Sequence, residues 1–214
     1  MRPLLAILSC EADALLEVGQ RATFLKNSPI EHRFFRGRGQ DLKHADVVNL
    51  NVQDDFNSLP FKTQAMLAWA LANGYTHVFK CDTDTYVRPE RLLTSGFERL
   101  DYAGYFVYDP CPGAYGSGGS GYWISARAAA LVTCATFISD YPNERTGDHS
   151  SRGEDLQVCW ALRDHGISCV KDERYRLREP GPLRRNDYIT LHDVIKPIKS
   201  LSRMAEVHQE FLNS

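Results

Sequence analysis

The chain has 214 residues, 43% hydrophobic and 24% charged, with 25 Lys and Arg against 27 Asp and Glu. That length suits one domain with a sizeable core, and a formal charge of -2 leaves no basic footprint for nucleic acid. The apolar run Leu4–Leu8 is too short to span a bilayer and lacks the cleavage pattern of a secretory signal. Six scattered cysteines form no Cys-x-x-Cys pair, which argues against a zinc ribbon or a thioredoxin-like motif. With no usable Asn-x-Ser/Thr sequon, they predict a reducing, cytoplasmic setting and buried free thiols.

Residues 3–9 read as a buried strand and 11–27 as a helix that stops near Asn27 and Pro29. His32–Arg36 and Asp46–Val52 read as short strands. Phe61, Ala65, Ala68, Trp69 and Ala72 recur at helical spacing, so 59–73 forms a helix that Asn73-Gly74 ends. The apolar pair Val78-Phe79 then leads a strand into Asp82 and Asp84. Asp101–Tyr105 and Gly121–Ser125 are strands split by a Gly/Pro-rich loop. Residues 126–139 and 154–165 are helices, Ile167–Val170 and Tyr188–His192 short strands, and 198–212 a last helix. Strands alternating with helices predict an α/β sandwich with a largely parallel central sheet. The polar stretch Asp140–Gly153 is the candidate lid.

Four constellations carry chemistry. Asp82 and Asp84, two apart, converge if the chain stays extended where the strand leaves the sheet. Ligands of open α/β sheets bind there, and two oxygen donors suit a hard divalent cation. A turn accounts for Asp-x-Asp as well, since Asp favours turns. Lys62 sits in the first turn of the 59–73 helix, where a cation is unusual; it pairs with phosphate or Asp82, or else is solvated. The run Ser117-Gly118-Gly119-Ser120-Gly121 lets backbone approach a ligand or serves as a flexible connection. Without a following Lys-Ser/Thr it is no P-loop. Glu154-Asp155 opens a helix, as dipole-favoured acids or as a general base. His192, after an apolar strand, is structural or a nitrogen ligand that favours manganese. The arginines of Arg174–Arg185 meet an acidic acceptor or phosphate, or else form a solvated face, the reading their composition favours.

Taken in order, these motifs resemble the inverting beta-1,3-glycosyltransferases of family 31, the group of Fringe and core 1 galactosyltransferase. Asp54-Asp55-Phe56 with Leu59 to Thr63 resembles the family's acidic-aromatic, Asn-Leu-x-x-Lys-Thr element. Lys80-Cys81-Asp82-Thr83-Asp84-Thr85-Tyr86-Val87 is similar to its Lys-x-Asp-Asp-Asp-Thr-Tyr-Val. Ser117–Ser125, Glu154-Asp155-Leu156 and Leu191-His192 to Pro197 resemble its later elements, so the likeness runs from Asp54 to Met204. It implies a GT-A fold over 1–214, donor-binding over about 1–100 and acceptor-binding and catalytic beyond. It implies a nucleotide-sugar donor, UDP-linked, a manganese or magnesium ion and a glycan or glycoconjugate acceptor. By the same resemblance Asp84 and His192 are metal ligands, and Asp82 lies at the ribose or beside the metal. Asp155 is then the base, and Lys62, Thr83, Gly118 and Gly119 lie at the donor. Thr83 departs from the family's middle Asp, and a hydroxyl cannot replace a carboxylate charge. Two other classes stay open: a binding module on the same fold without turnover, and a phosphatase with Asp82 as its nucleophile. The phosphatase pattern expects Thr or Val where Tyr86 stands.

Overall fold

The computed structural model describes residues 1–39, 44–109, 113–138, 153–177, 187–192 and 201–213. The predicted lid, apart from Gly153, lies outside them, as do Cys111, Arg178–Arg185 and the segment from Asp193 to Pro197.

Seven strands make the central sheet: β1 (Pro3–Leu8), β2 (Glu31–Arg36), β3 (Val47–Asn49), β4 (His77–Asp82), β6 (Tyr102–Gly104), β9 (Tyr122–Ser125) and β10 (Val170–Lys171). Their order is β10-β6-β9-β4-β1-β2-β3. Only β9 runs against its neighbours; the other pairings are parallel. Alternation along β1 and β4 fixes the two faces. Leu4, Ala6, Leu8 and Val78 join one core with α2 (Leu59–Ala72), α4 (Ala126–Cys134) and α5 (Glu154–Arg163). Leu5, Ile7, Phe79 and Cys81 join the other, under α6 (Leu201–Leu212), which packs on α1 (Ala14–Ala22). On that second side the Trp123 ring stacks on Phe97 at 3.8 Å and meets Phe79 edge-on at 5.3 Å. Such pairs add about 0.5–1.5 kcal/mol each beyond the area they bury.

A small sheet, β11 (Tyr175–Arg176), β12 (Thr190–His192) and β5 (Thr85–Val87), sits beside the main one. Its antiparallel β12–β5 pairing puts His192 opposite Thr85.

Several predicted bounds shrink. The 11–27 helix is a 3-10 turn at Glu11–Asp13, then α1, then turns from Thr23. There Thr23 Oγ1 donates back to Gly19 O at 2.7 Å, a hydroxyl competing for the helix's carbonyls. The 46–52 strand keeps only β3, the length over which β2 offers partners. The 126–139 helix ends at Cys134, because Ala135 takes an extended conformation (φ -75°, ψ 151°). The Gly/Pro-rich loop between β6 and β9 holds a hairpin, β7 (Phe106–Asp109) with β8 (Gly113–Gly116). Between β4 and β5 the chain makes a two-residue turn at Thr83-Asp84, and after β5 comes α3 (Pro89–Leu93).

Candidate active site

The site lies beyond the C-terminal ends of β1 and β4, where Leu8 and Asp82 are register partners. Asp82 is the last residue of β4, and Thr83-Asp84 turns the chain into β5. Strand and turn therefore both hold, and a turn between two sheets sets the direction of Asp84. Buried polar contacts fix that turn. Gln20 Nε2 donates to Thr83 O at 2.8 Å and to Thr85 O at 3.1 Å, and Thr83 Oγ1 donates to Asp13 Oδ2 at 2.8 Å. Thr83 is thus tied to the Glu11–Asp13 turn.

Asp84 Oδ1 lies 3.2 Å from His192 Nδ1. Burial opposes the imidazolium, but the hydrogen bond and charge of Asp84, with Asp82 behind it, outweigh that and raise His192 above its ordinary value. Cis ligands about 2.1 Å from an octahedral cation lie about 3 Å apart. The pair would therefore fit one edge of a divalent ion's coordination sphere. Among the described residues, no three His, Cys, Asp or Glu side chains gather into a complete metal cluster.

Along β4, Val78, Lys80 and Asp82 share the face toward α5. Lys80, 2% exposed, puts its ammonium 3.0 Å from Asp82 Oδ1 and 2.9 Å from Glu154 Oε2. Its register partner on β9, Tyr122, donates its hydroxyl to Glu154 Oε1. Glu154 and Asp155 form the first turn of α5, where the helix dipole favours negative charge. Burial penalises the Glu154 carboxylate, but the Lys80 charge and hydrogen bonds from Asp155, Tyr122 and Lys80 hold it below its ordinary value. Asp155 goes the other way: burial and then the Glu154 charge push its carboxyl well above the carboxylate range. One buried ammonium faces Asp82, Glu154 and Asp155, so the cluster holds a proton on Asp155 most easily. A partly buried carboxyl of raised basicity is what a general base requires.

The glycine run closes over this cluster. A Cβ on Gly118 would overlap Asp155 Oδ1 and Lys80 Nζ. One on Gly119 would stand 3.0 Å from His192 Nε2. Thr85 Oγ1 donates to Gly119 O, and Thr190 Oγ1 to Ser120 O at 2.6 Å, so the loop is pinned from two strands of the small sheet, β5 and β12. It is a fixed lid on the carboxylates, with two adjacent residues against Asp155 and His192.

A pocket of about 360 Å³ opens beside Asp82, Thr83 and Asp84, within the size range of small-molecule sites. Its other walls include Ser9, Cys10, Asp13, Asp54, Phe56 and Lys62. Phe56 is 66% exposed there. Lys62 is buried and gives its ammonium to Asp54 and to Ser9 O, not to Asp82. Its place in the first helical turn is explained by that partner.

The sequence named Lys80 and Glu154 only as letters of motifs. Period two already sets Lys80 on the face of Asp82, which is the signal that could have found it. Nothing local marks Asp13, Gln20 or Tyr122, whose partners lie 32 to 70 residues away.

A family model described as Galactosyltransferase matches residues 37–106, less than half of the chain. No curated protein matches it. Among solved structures, a glycosyltransferase involved in the glycosylation of the major capsid of PBCV-1 is similar over 99% of this chain and 100% of its own. Its identity is 13% and its TM-score 0.53. The catalytic domain of Drosophila beta1,4galactosyltransferase 7, solved with xylobiose, is 16% identical with a TM-score of 0.49. That match covers 81% of this chain and 66% of the Drosophila chain. The fold is that of the GT-A glycosyltransferases, as expected. Family model and fold together support a glycosyltransferase. Among the described residues no helix is long and apolar enough to cross a membrane.

Proposed function

We propose that the chain is a metal-dependent, inverting glycosyltransferase of the beta-1,3 type of family 31. It moves a sugar from a UDP-linked donor to a hydroxyl of a glycan acceptor. The observation that carries this reading is the pairing of Asp84 with His192 at 3.2 Å, one glycine-loop residue away from the contact with Asp155.

Manganese or magnesium would be held by Asp84 and His192, with Asp82 beside them; when bound, it supplies Lewis-acid stabilisation of the departing diphosphate. The pocket along Asp13, Phe56 and Lys62 receives the nucleoside. Asp155 takes the proton of the acceptor hydroxyl as that oxygen attacks the anomeric carbon from the side opposite the diphosphate. Lys80 and Tyr122 hold Glu154 ionised, and its charge keeps Asp155 basic. The Gly118 backbone lies against the Glu154 and Asp155 carboxylates and Gly119 against His192, which fixes their orientation.

Calorimetric titration of UDP, with and without manganese, tests the reading. Metal-dependent binding is expected in the parent, weakened about tenfold or more in Asp84→Ala, as for loss of a charged ligand. Equal UDP affinity in parent and variant removes Asp84 from the site. No UDP binding under either condition removes the UDP assignment.

A further inference from the structure

Five aspartates line the pocket beside the Thr83-Asp84 turn: Asp13, Asp54, Asp55, Asp82 and Asp84. All but Asp13 are committed. Asp54 takes the Lys62 ammonium, Asp82 Oδ1 lies 3.0 Å from Lys80 Nζ, and Asp84 Oδ1 lies 3.2 Å from His192 Nδ1. Asp55 stands before the 3-10 turn Phe56–Ser58 and accepts from Ser58 N at 2.9 Å, as an N-cap acid does. Among the described residues no cation pairs with Asp13. Its hydrogen bond from Thr83 Oγ1, at 2.8 Å, ends on Oδ2 alone.

A local partner is at hand and is not used. Asp13 is the N-cap residue of α1, where an aspartate ordinarily accepts from a backbone N–H of the first turn. Its side chain makes no such bond. It is turned away from its own helix toward Thr83, 70 positions further along the chain. Its polar neighbour on the same wall, the Cys10 thiol, is a weak donor, raised above its ordinary value by burial and then by the Asp13 charge. Asp13 is only half-buried, so its carboxylate is open to the pocket that it lines.

The chemistry of the ligand decides what that carboxylate takes. A carboxylate only accepts hydrogen bonds, and against a phosphate, with no cation of its own, it repels. The donors of UDP are the 2′- and 3′-hydroxyls of its ribose and the N3–H of its base. Asp13 is bonded to the residue before Asp84, which in the proposed function holds the metal and, through it, the diphosphate. The part of UDP that follows the diphosphate is the ribose, and the base lies beyond it.

We propose that Asp13, oriented by Thr83, accepts a hydroxyl of the donor's ribose and makes the protein select a ribonucleotide over its 2′- or 3′-deoxy analogue. A site built to bond a hydroxyl rejects the analogue that lacks it, because the acceptor is then left unpaired. This rests on the UDP-sugar reading, and the test keeps the two apart. Calorimetry with manganese would compare UDP with 2′-deoxy-UDP and 3′-deoxy-UDP. The parent should bind UDP about tenfold or more tightly than one of the analogues, as for a hydrogen bond to a charged group. That analogue names the hydroxyl. In Asp13→Ala the ratio should collapse toward one, because UDP loses affinity and the deoxy analogue does not. Asp13→Asn, whose amide oxygen still accepts, should keep part of the preference. Thr83→Val should shrink it while manganese dependence persists. A merely structural Asp13 would weaken both nucleotides alike in Asp13→Ala and leave the ratio at its parent value; that result overturns the proposal and leaves the ribose to Asp82. A parent that binds UDP and both analogues equally overturns it too. If UDP does not bind with manganese, the UDP reading falls instead. GDP against its 2′- and 3′-deoxy forms then decides the role of Asp13 in the same way, and no binding of either nucleotide overturns that role as well.

Discussion

The carboxylate corner and the pocket beside it share Asp82 but are built differently. The corner is made inside the core. Lys80 comes from the middle of the sheet, Tyr122 from its antiparallel neighbour, Glu154 and Asp155 from the head of α5, and Gly118 closes against them. The pocket is made from chain ends and short turns, Ser9-Cys10, Asp13 and Asp54–Phe56, with an aromatic ring left 66% exposed. Groups that must keep an unfavourable protonation state need low dielectric and fixed partners, which only core-level packing supplies. Groups that must admit and release a ligand need exposed edges.

If that division is right, changes in the corner are severe and changes in the pocket are local. The largest effect is expected for Asp155→Asn, with turnover down by about 10²–10⁴-fold while UDP affinity in calorimetry stays near that of the parent. Parent-like turnover would take the base role from Asp155. Its raised carboxyl has a definite pH signature. Asp155 acts only when ionised, so kcat/KM should fall as pH drops through a value above the ordinary carboxylate range of about 4. The same group favours the folded state most below its unfolded value, and that contribution is lost as pH rises through the folded value. Asp155→Asn should accordingly be the more heat-stable protein at neutral pH.

Next in size is Lys80→Met, which leaves three acids without their cation. The loss is expected at about 3–5 kcal/mol, the usual cost of breaking a buried pair from one side. Thermal melting would show it as a fall of about 2–4 °C per kcal/mol. An unchanged midpoint would mean that the corner is wet and the contrast with the pocket false. The smallest effect on stability is expected for Phe56→Ala, within about 0.5 kcal/mol as for other exposed sites. Its consequence should appear as weaker UDP binding by about fivefold or more, the low end of stacking between a base and an aromatic ring. Unchanged UDP affinity would move the nucleoside away from Phe56.

Much of this was legible in the residue order. Runs such as Leu4–Leu8 and the helical spacing from Phe61 to Ala72 are local signals, and β1 and α2 lie where they say. The sheet's parallel character followed from alternating elements, and Asp82 does end its strand. Element ends were read too long at Thr23 and Ala135, where side-chain and backbone choices of single residues stop a helix. The partners were beyond the sequence. Lys62 read as a partner of phosphate or Asp82, or as solvated, and its ammonium proved to meet Asp54 and Ser9 O; the arginines after Arg174 read as facing an acidic group or solvent, and Arg176 proved to be buried. His192 meets Asp84 across 108 positions because β12 pairs with β5, and Lys80 meets Glu154 across 74 because the first turn of α5 reaches Lys80 on β4 and Tyr122 on β9. Periodicity fixes which side of an element a residue takes, since that depends only on backbone geometry. Which charge it then faces depends on non-local packing, and the protonation states of Asp155 and Glu154 exist only once those distant groups share one desolvated space.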